Sequence, residues 1–164
     1  MRIYIGIDNG VTGTIGIAGD EIQPQLYHTP VKKEQDYTKK KKEISRLECQ
    51  EFINIIKSLD ADPVDIRVVI ERPMINPTRF SASISAIRCM EAQMIILESM
   101  GISFRFIDSK EWQKKMLPQG IKGTDEQKKA SKDIGNRLFP QFAGFKHPDR
   151  DGILIAEWAR KEKL

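Results

Sequence analysis

Cysteine, histidine and tryptophan are scarce in this chain, two of each among 164 residues, and aromatic side chains make up only 7% of it. Cys49 and Cys89 stand far apart, with no CxxC and no Cys/His cluster, which argues against a zinc site and suits reduced packing residues of a cytoplasmic protein. Long apolar runs are missing too. No stretch reaches the about 18 consecutive apolar residues of a membrane span, and no basic region followed by an apolar segment opens the chain, so neither a membrane partner nor export is expected. The charge excess is small, 27 Lys+Arg against 23 Asp+Glu, a net +4 that suits a polyanionic partner without demanding one. What is present is 40% hydrophobic residues without repeats or low-complexity tracts. That is enough for one core, and a single domain over residues 1–164 is expected.

Residues 2–8 read Arg-Ile-Tyr-Ile-Gly-Ile-Asp, so Ile3, Ile5 and Ile7 share one face of a strand that ends at Asp8. The turn Asn9-Gly10 and a return strand from Thr14 to Ala18 make a hairpin, and a third strand is expected around Ile22–His28. The polar stretch 29–43 carries Lys32, Lys33 and the run Lys39 to Lys42 and predicts a solvated segment, followed by a helix from Ile44 to Leu59. A β-branched strand, Asp65 to Glu71, stops at Arg72-Pro73. Ser83 to Met100 predicts a second helix closed by Gly101, then a strand over Ile102–Ile107 and a short helical piece near Trp112–Leu117. A further helix is expected from Asp125 to Phe139, ended by Pro140, and a last one opened by Pro148. The order predicts an α/β fold, a mixed sheet flanked by helices.

Three acids stand at suggestive places: Asp8 and Glu71 at strand ends, and Asp151 on the apolar face shared with Leu154, Ile155 and Trp158. Carboxylates drawn together repel and raise one another's pKa unless a cation neutralises them. Mg²⁺ prefers oxygen ligands, and two such ions about 3.5–4 Å apart can activate water and stabilise the leaving oxygen of a phosphodiester. Taken singly, each acid could equally be a solvated end or half of an ion pair. His147 and Asp149 add candidate ligands. On a helix opened by Pro148, His147 lies one turn from Asp151, whereas Asp149 faces roughly 160° away by the 3.6-residue period, which favours His147.

The segment Gly6-Ile7-Asp8-Asn9-Gly10 with its Thr-Gly-Thr, the Val-Val-Ile-Glu71 strand, and Asp151-Gly-Ile-Leu-Ile-Ala together resemble the RuvC-type Holliday-junction resolvases, especially their shorter bacteriophage members. Ser109-Lys110-Glu111-Trp112-Gln113-Lys114 and the stretch from Lys128-Lys129-Ala130-Ser131 to Leu138-Phe139-Pro140 extend the resemblance over nearly the whole chain. It implies an RNase H-like sheet of three antiparallel strands followed by parallel ones. It also implies a homodimer that nicks four-way DNA junctions with two Mg²⁺ or Mn²⁺ ions on four acidic positions. Three of these carry over to Asp8, Glu71 and Asp151. The fourth falls to His147 or Asp149, because Pro148 and His147 occupy the places where relatives carry an acid or a histidine.

The same resemblance gives Lys128 a place near the scissile phosphate and puts Phe80 where relatives insert an apolar side chain at the junction centre. A solvated helix face for Lys128, and packing against the following helix for Phe80, are the plain alternatives. Lys39, Lys40, Lys41, Lys122, Lys129 and Lys132 are candidate phosphate contacts. Asp8-Asn9-Gly10-Val11-Thr12 also resembles the first phosphate loop of the actin-like ATPases, which need a second domain that 164 residues do not accommodate. A junction-binding protein without cleavage, and an RNase H-like nuclease for other branched DNA or for hybrids, remain the competing readings.

Overall fold

Isoleucine at every second position makes residues 3–7 a strand, and the computed structural model, which describes residues 1–37 and 42–164, places it at the centre of a sheet. The chain opens with β1 (Ile3–Ile7), β2 (Thr14–Gly19) and β3 (Gln25–His28), then a separate ribbon of β4 (Val31–Gln35) and β5 (Glu43–Leu47). There follow α1 (Cys49–Lys57), β6 (Ile66–Glu71), α2 (Phe80–Ser99), β7 (Ser103–Ile107), α3 (Ser109–Met116), α4 (Thr124–Leu138) and α5 (Asp151–Lys161). The main sheet runs β3-β2-β1-β6-β7. Its first three strands are antiparallel, and β6 joins β1, and β7 joins β6, in parallel.

Every residue of β1 is buried, because both faces of the sheet are covered. Ile3, Ile5 and Ile7 meet Phe52 and Ile56 of α1 and Cys89, Ile96 and Leu97 of α2 in one core. On the opposite face Tyr4 and Val69 pack with Trp112 of α3 and with Leu154, Ile155 and Trp158 of α5. Helix α5 lies directly on β1 and β2. A Cβ added at Gly16 would stand 2.2 Å from Ile153 Cα, and one at Gly6 2.3 Å from the Ala156 nitrogen, so only glycine fits at either crossing.

Three sequence expectations are corrected here. The third strand begins at Gln25 rather than Ile22. The segment read as solvated chain and helix start is instead the β4–β5 ribbon, and α1 begins only at Cys49. Pairing of Lys32 with Arg46 and of Glu34 with Ile44 gives residues 43–47 a backbone partner, and Glu34 links Lys32 and Arg46 across it. Lys39, Lys40 and Lys41 lie outside the described residues.

The third correction concerns the last helix, which starts at Asp151, not at Pro148. Fully buried Arg150 accounts for the delay. Its guanidinium donates to the carbonyls of Phe142, Phe145, His147 and Asp149 and to Asn136 Oδ1, which keeps the preceding loop out of a helix. As for the membrane, Pro77–Ser99 has a mean hydropathy of 1.2 and is long and apolar enough to cross one by length and composition, although no uninterrupted apolar run suggested it. Its Cys89, Gln93, Ile96 and Leu97 are buried against the sheet, although only 28% of the apolar stretch is buried.

The close crossing predicts that Gly16→Ala costs about 1–3 kcal/mol or more, the range of overpacking, and lowers the urea midpoint accordingly. A variant that unfolds at the wild-type midpoint would contradict the packing described.

Candidate active site

The carboxyl ends of β1 and β6 and the amino end of α5 meet at one edge of the sheet, and each carries an acid. Asp8 follows β1 immediately, and its N–H donates to the Thr14 carbonyl at 3.0 Å, which closes the hairpin under it. Glu71 is the last residue of β6. Asp151 opens α5, where the helix dipole favours a carboxylate. It accepts a short hydrogen bond from Ser131 Oγ, and the same hydroxyl accepts the Arg150 N–H at 3.0 Å. Thr14 Oγ1 in turn accepts the Gly152 N–H at 3.0 Å, fixing the helix start to β2.

Asp149 completes the group. Its side chain is almost wholly buried, and Oδ1 accepts the Asp151 N–H at 3.3 Å. Oxygens of Asp8, Asp149 and Asp151 all lie within 4.8 Å of one another, a spacing that could hold metal ions. Glu71 stands beside them, close enough for its charge to act on both Asp8 and Asp151. The donors are all carboxylate oxygens, which suit a hard divalent cation.

His147 takes a different place from the one expected. The helical turn that put it next to Asp151 does not exist, and its ring instead spans from the Thr12 carbonyl, 2.9 Å from Nε2, to Asp149 Oδ1, 3.1 Å from Nδ1. It thus ties the β1–β2 turn to the loop that carries Asp149. Asp149, which regular helical geometry turned away, reaches the group because its segment is not helical.

The electrostatics follow from the crowding. Burial raises the Asp8 pKa well above the carboxylate range, and Asp151, Glu71 and Asp149 raise it further while Lys128 opposes them. Asp151 is raised chiefly by burial and then by Asp149, against the Ser131 hydrogen bond. Glu71 is raised by burial, partly offset by a hydrogen bond from Trp112. A cation held among these carboxylates would offset their mutual repulsion.

Asp8, Asp149 and Asp151 border a cavity of about 620 Å³ that Lys128, His28, Thr29 and His147 also line, and Glu71 is not among its lining residues. Lys128, though exposed, thus borders the acidic cavity. Lys122 and Lys129 are exposed and Lys132 half-buried, and none of the three lines this cavity. Phe80 is 70% exposed at the start of α2, so packing against that helix does not account for it. The sequence reading passed over His28, whose ring stacks on Phe145 at 4.4 Å, as well as Trp112, Ser131 and Arg150. One signal was available: the chain has two histidines, and both face this cavity.

A mixed five-stranded sheet of this order, covered by helices on both faces and with acids at its carboxyl edge, is an RNase H-like fold. No protein-family model and no curated protein matches the sequence. Solved structures do match the fold. Thermus thermophilus RuvC in complex with a Holliday junction substrate aligns at 12% identity and a TM-score of 0.57, over 99% of this chain and 97% of that one. A second Thermus thermophilus RuvC structure aligns at 10% identity and a TM-score of 0.58, with the same coverage. The fold is that of RuvC.

Carboxylates whose folded pKa is raised bind protons more tightly in the folded than in the unfolded chain, so their ionisation costs stability as pH rises from the ordinary carboxylate range through the raised values. The metal-free protein should accordingly lose thermal stability between about pH 4 and the raised values, through this group. Asp8→Asn should raise its melting temperature at pH 8 by about 2–4 °C, the shift that 1 kcal/mol makes at this chain length. Calorimetry at both pH values checks the sign, and a less stable Asp8→Asn would contradict it.

Proposed function

We propose that the chain is one RNase H-like nuclease domain, residues 1–164, which resolves four-way DNA junctions by metal-dependent phosphodiester hydrolysis. The observation that carries the reading is the meeting of Asp8, Asp149 and Asp151 beside Glu71 at the sheet edge, in a fold shared with a protein solved on a Holliday junction. Asp8, Glu71, Asp149 and Asp151 are the proposed ligands of Mg²⁺ or Mn²⁺, two ions per site, and His147 holds Asp149 in place rather than binding metal itself. Bound ions of this kind supply an activated water and stabilise the leaving oxygen. Lys128 offers its charge to the scissile phosphate. Lys122, Lys129, Lys132 and Lys39 to Lys41 contact flanking phosphates, and Phe80, exposed as Met74 and Ile75 also are, stacks on a base at the branch.

A junction binder without cleavage was suggested by the missing acid before Asp151; the closeness of Asp149 to Asp8 and Asp151 supports cleavage instead. A cytoplasmic location, that of a host cell if the chain is phage-encoded, belongs to the same proposal and rests on the resemblance to phage resolvases.

Assembly as a homodimer rests on α2, whose Ile84, Ile87 and Ile95 form an exposed stripe along the side away from the core. Light scattering at micromolar concentration should give a dimer, and Ile87→Glu with Ile95→Glu a folded monomer by circular dichroism. A monomeric wild type, with and without DNA, would remove the assembly from the proposal.

Cleavage is tested on gels with four-way junction, flap, RNA–DNA hybrid and linear duplex, each with and without Mg²⁺. Junction should be cut, and only with metal. Asp8→Asn, Glu71→Gln and Asp151→Asn should each lose about 100-fold or more in rate while still binding junction, because Lys and Arg hold the phosphates. Cutting of flap or hybrid in preference to junction would favour another RNase H-like nuclease, and a variant that cuts at the wild-type rate would end the metal reading.

A further inference from the structure

Trp112 of α3 has no role in the chemistry above. It is fully buried against Tyr4, Val69, Leu154 and Ile155, and a phenylalanine or leucine would serve that packing as well. Its indole N–H, however, donates to Glu71 Oε2 at 2.7 Å. A buried indole N–H usually finds an acceptor, and here the acceptor is one oxygen of a carboxylate that faces the charges of Asp8 and Asp151. Glu71 is also the acid that stands outside the trio whose oxygens lie within 4.8 Å. Its longer side chain has the most freedom to swing away from like charges, and Arg72, whose N–H donates to the Ile107 carbonyl at 2.9 Å, anchors only the backbone beside it.

Resting on the nuclease reading, we propose that Trp112 is a positioning residue: its indole N–H holds Oε2 of Glu71 and leaves Oε1 as the oxygen offered to metal. Such outer partners of a ligand typically carry about 10- to 100-fold in metal affinity or activity. Trp158 supplies an internal comparison, since its Nε1 has no partner among the described residues.

Two tryptophans give two indole cross-peaks in a ¹H–¹⁵N spectrum of the intact protein. The Trp112 peak should move in Glu71→Gln and again when Mg²⁺ is added to the wild type, while the Trp158 peak stays. Trp112→Phe, which keeps the ring and removes the donor, should weaken Mn²⁺ binding in calorimetry about 10-fold. It should also lower kcat on junction by about 10-fold or more with KM for DNA unchanged, and regain rate at high Mn²⁺, which Glu71→Gln does not. A Trp112 peak unmoved by both changes overturns the proposal, and so does a folded Trp112→Phe with wild-type Mn²⁺ affinity. If Trp112→Phe does not fold, the spectra of wild type and Glu71→Gln decide alone. If the peak moves and Mn²⁺ affinity falls while the wild type cuts no branched DNA, the positioning stands and the nuclease reading is the part that fails.

Discussion

Everything at the acidic edge depends on how closely α5 can lie on the sheet. Gly6 of β1, Gly16 of β2 and Gly152 of the helix itself remove the side chains that would hold the two layers apart, so backbone meets backbone at the crossing. Because Asp151 stands one residue before Gly152 and Asp8 two residues after Gly6, that contact sets the distance between the two carboxylates. A wider spacing would leave two solvated acids. The close one makes a site.

Burial and, after it, the closeness of the acids carry an electrostatic cost, visible in the raised pKa of Asp8, Asp151 and Glu71. The surrounding structure meets part of it with hydrogen bonds from Ser131 and Trp112 and with the charge of Lys128, and none of these neutralises the group fully. Arg150 is buried nearby but spends its donors on backbone carbonyls and Asn136, shaping the loop rather than pairing with an acid. With this residual repulsion, the cluster of Asp8, Asp149 and Asp151 is one that could hold a metal ion.

Much of the fold was legible locally. Alternating isoleucines marked β1 and β2, the β-branched run before Arg72-Pro73 marked β6, and the helices α2 and α4 were read to within a few residues at each end. The β4–β5 ribbon was not. Its strands are short, charged and partly exposed, so their apolar pattern is weak, and what makes them strands is pairing across a connection the sequence does not reveal.

At the site, Asp8, Glu71 and Asp151 could be chosen from the sequence because strand ends and a helix face are local properties, and the resemblance to RuvC-type resolvases set them in order. The choice between His147 and Asp149 could not, since it assumed a helix beginning at Pro148. Arg150 and the carbonyls it gathers from residues 142–149 form a loop there instead, turning Asp149 inward and His147 toward Thr12. Local periodicity determined which segments carry acids. Only the tertiary structure, through long-range contacts such as Trp112 to Glu71 and Thr14 to Gly152, decided which oxygens meet, because hydrogen bonds between residues 41 and 138 positions apart leave no trace in local spacing.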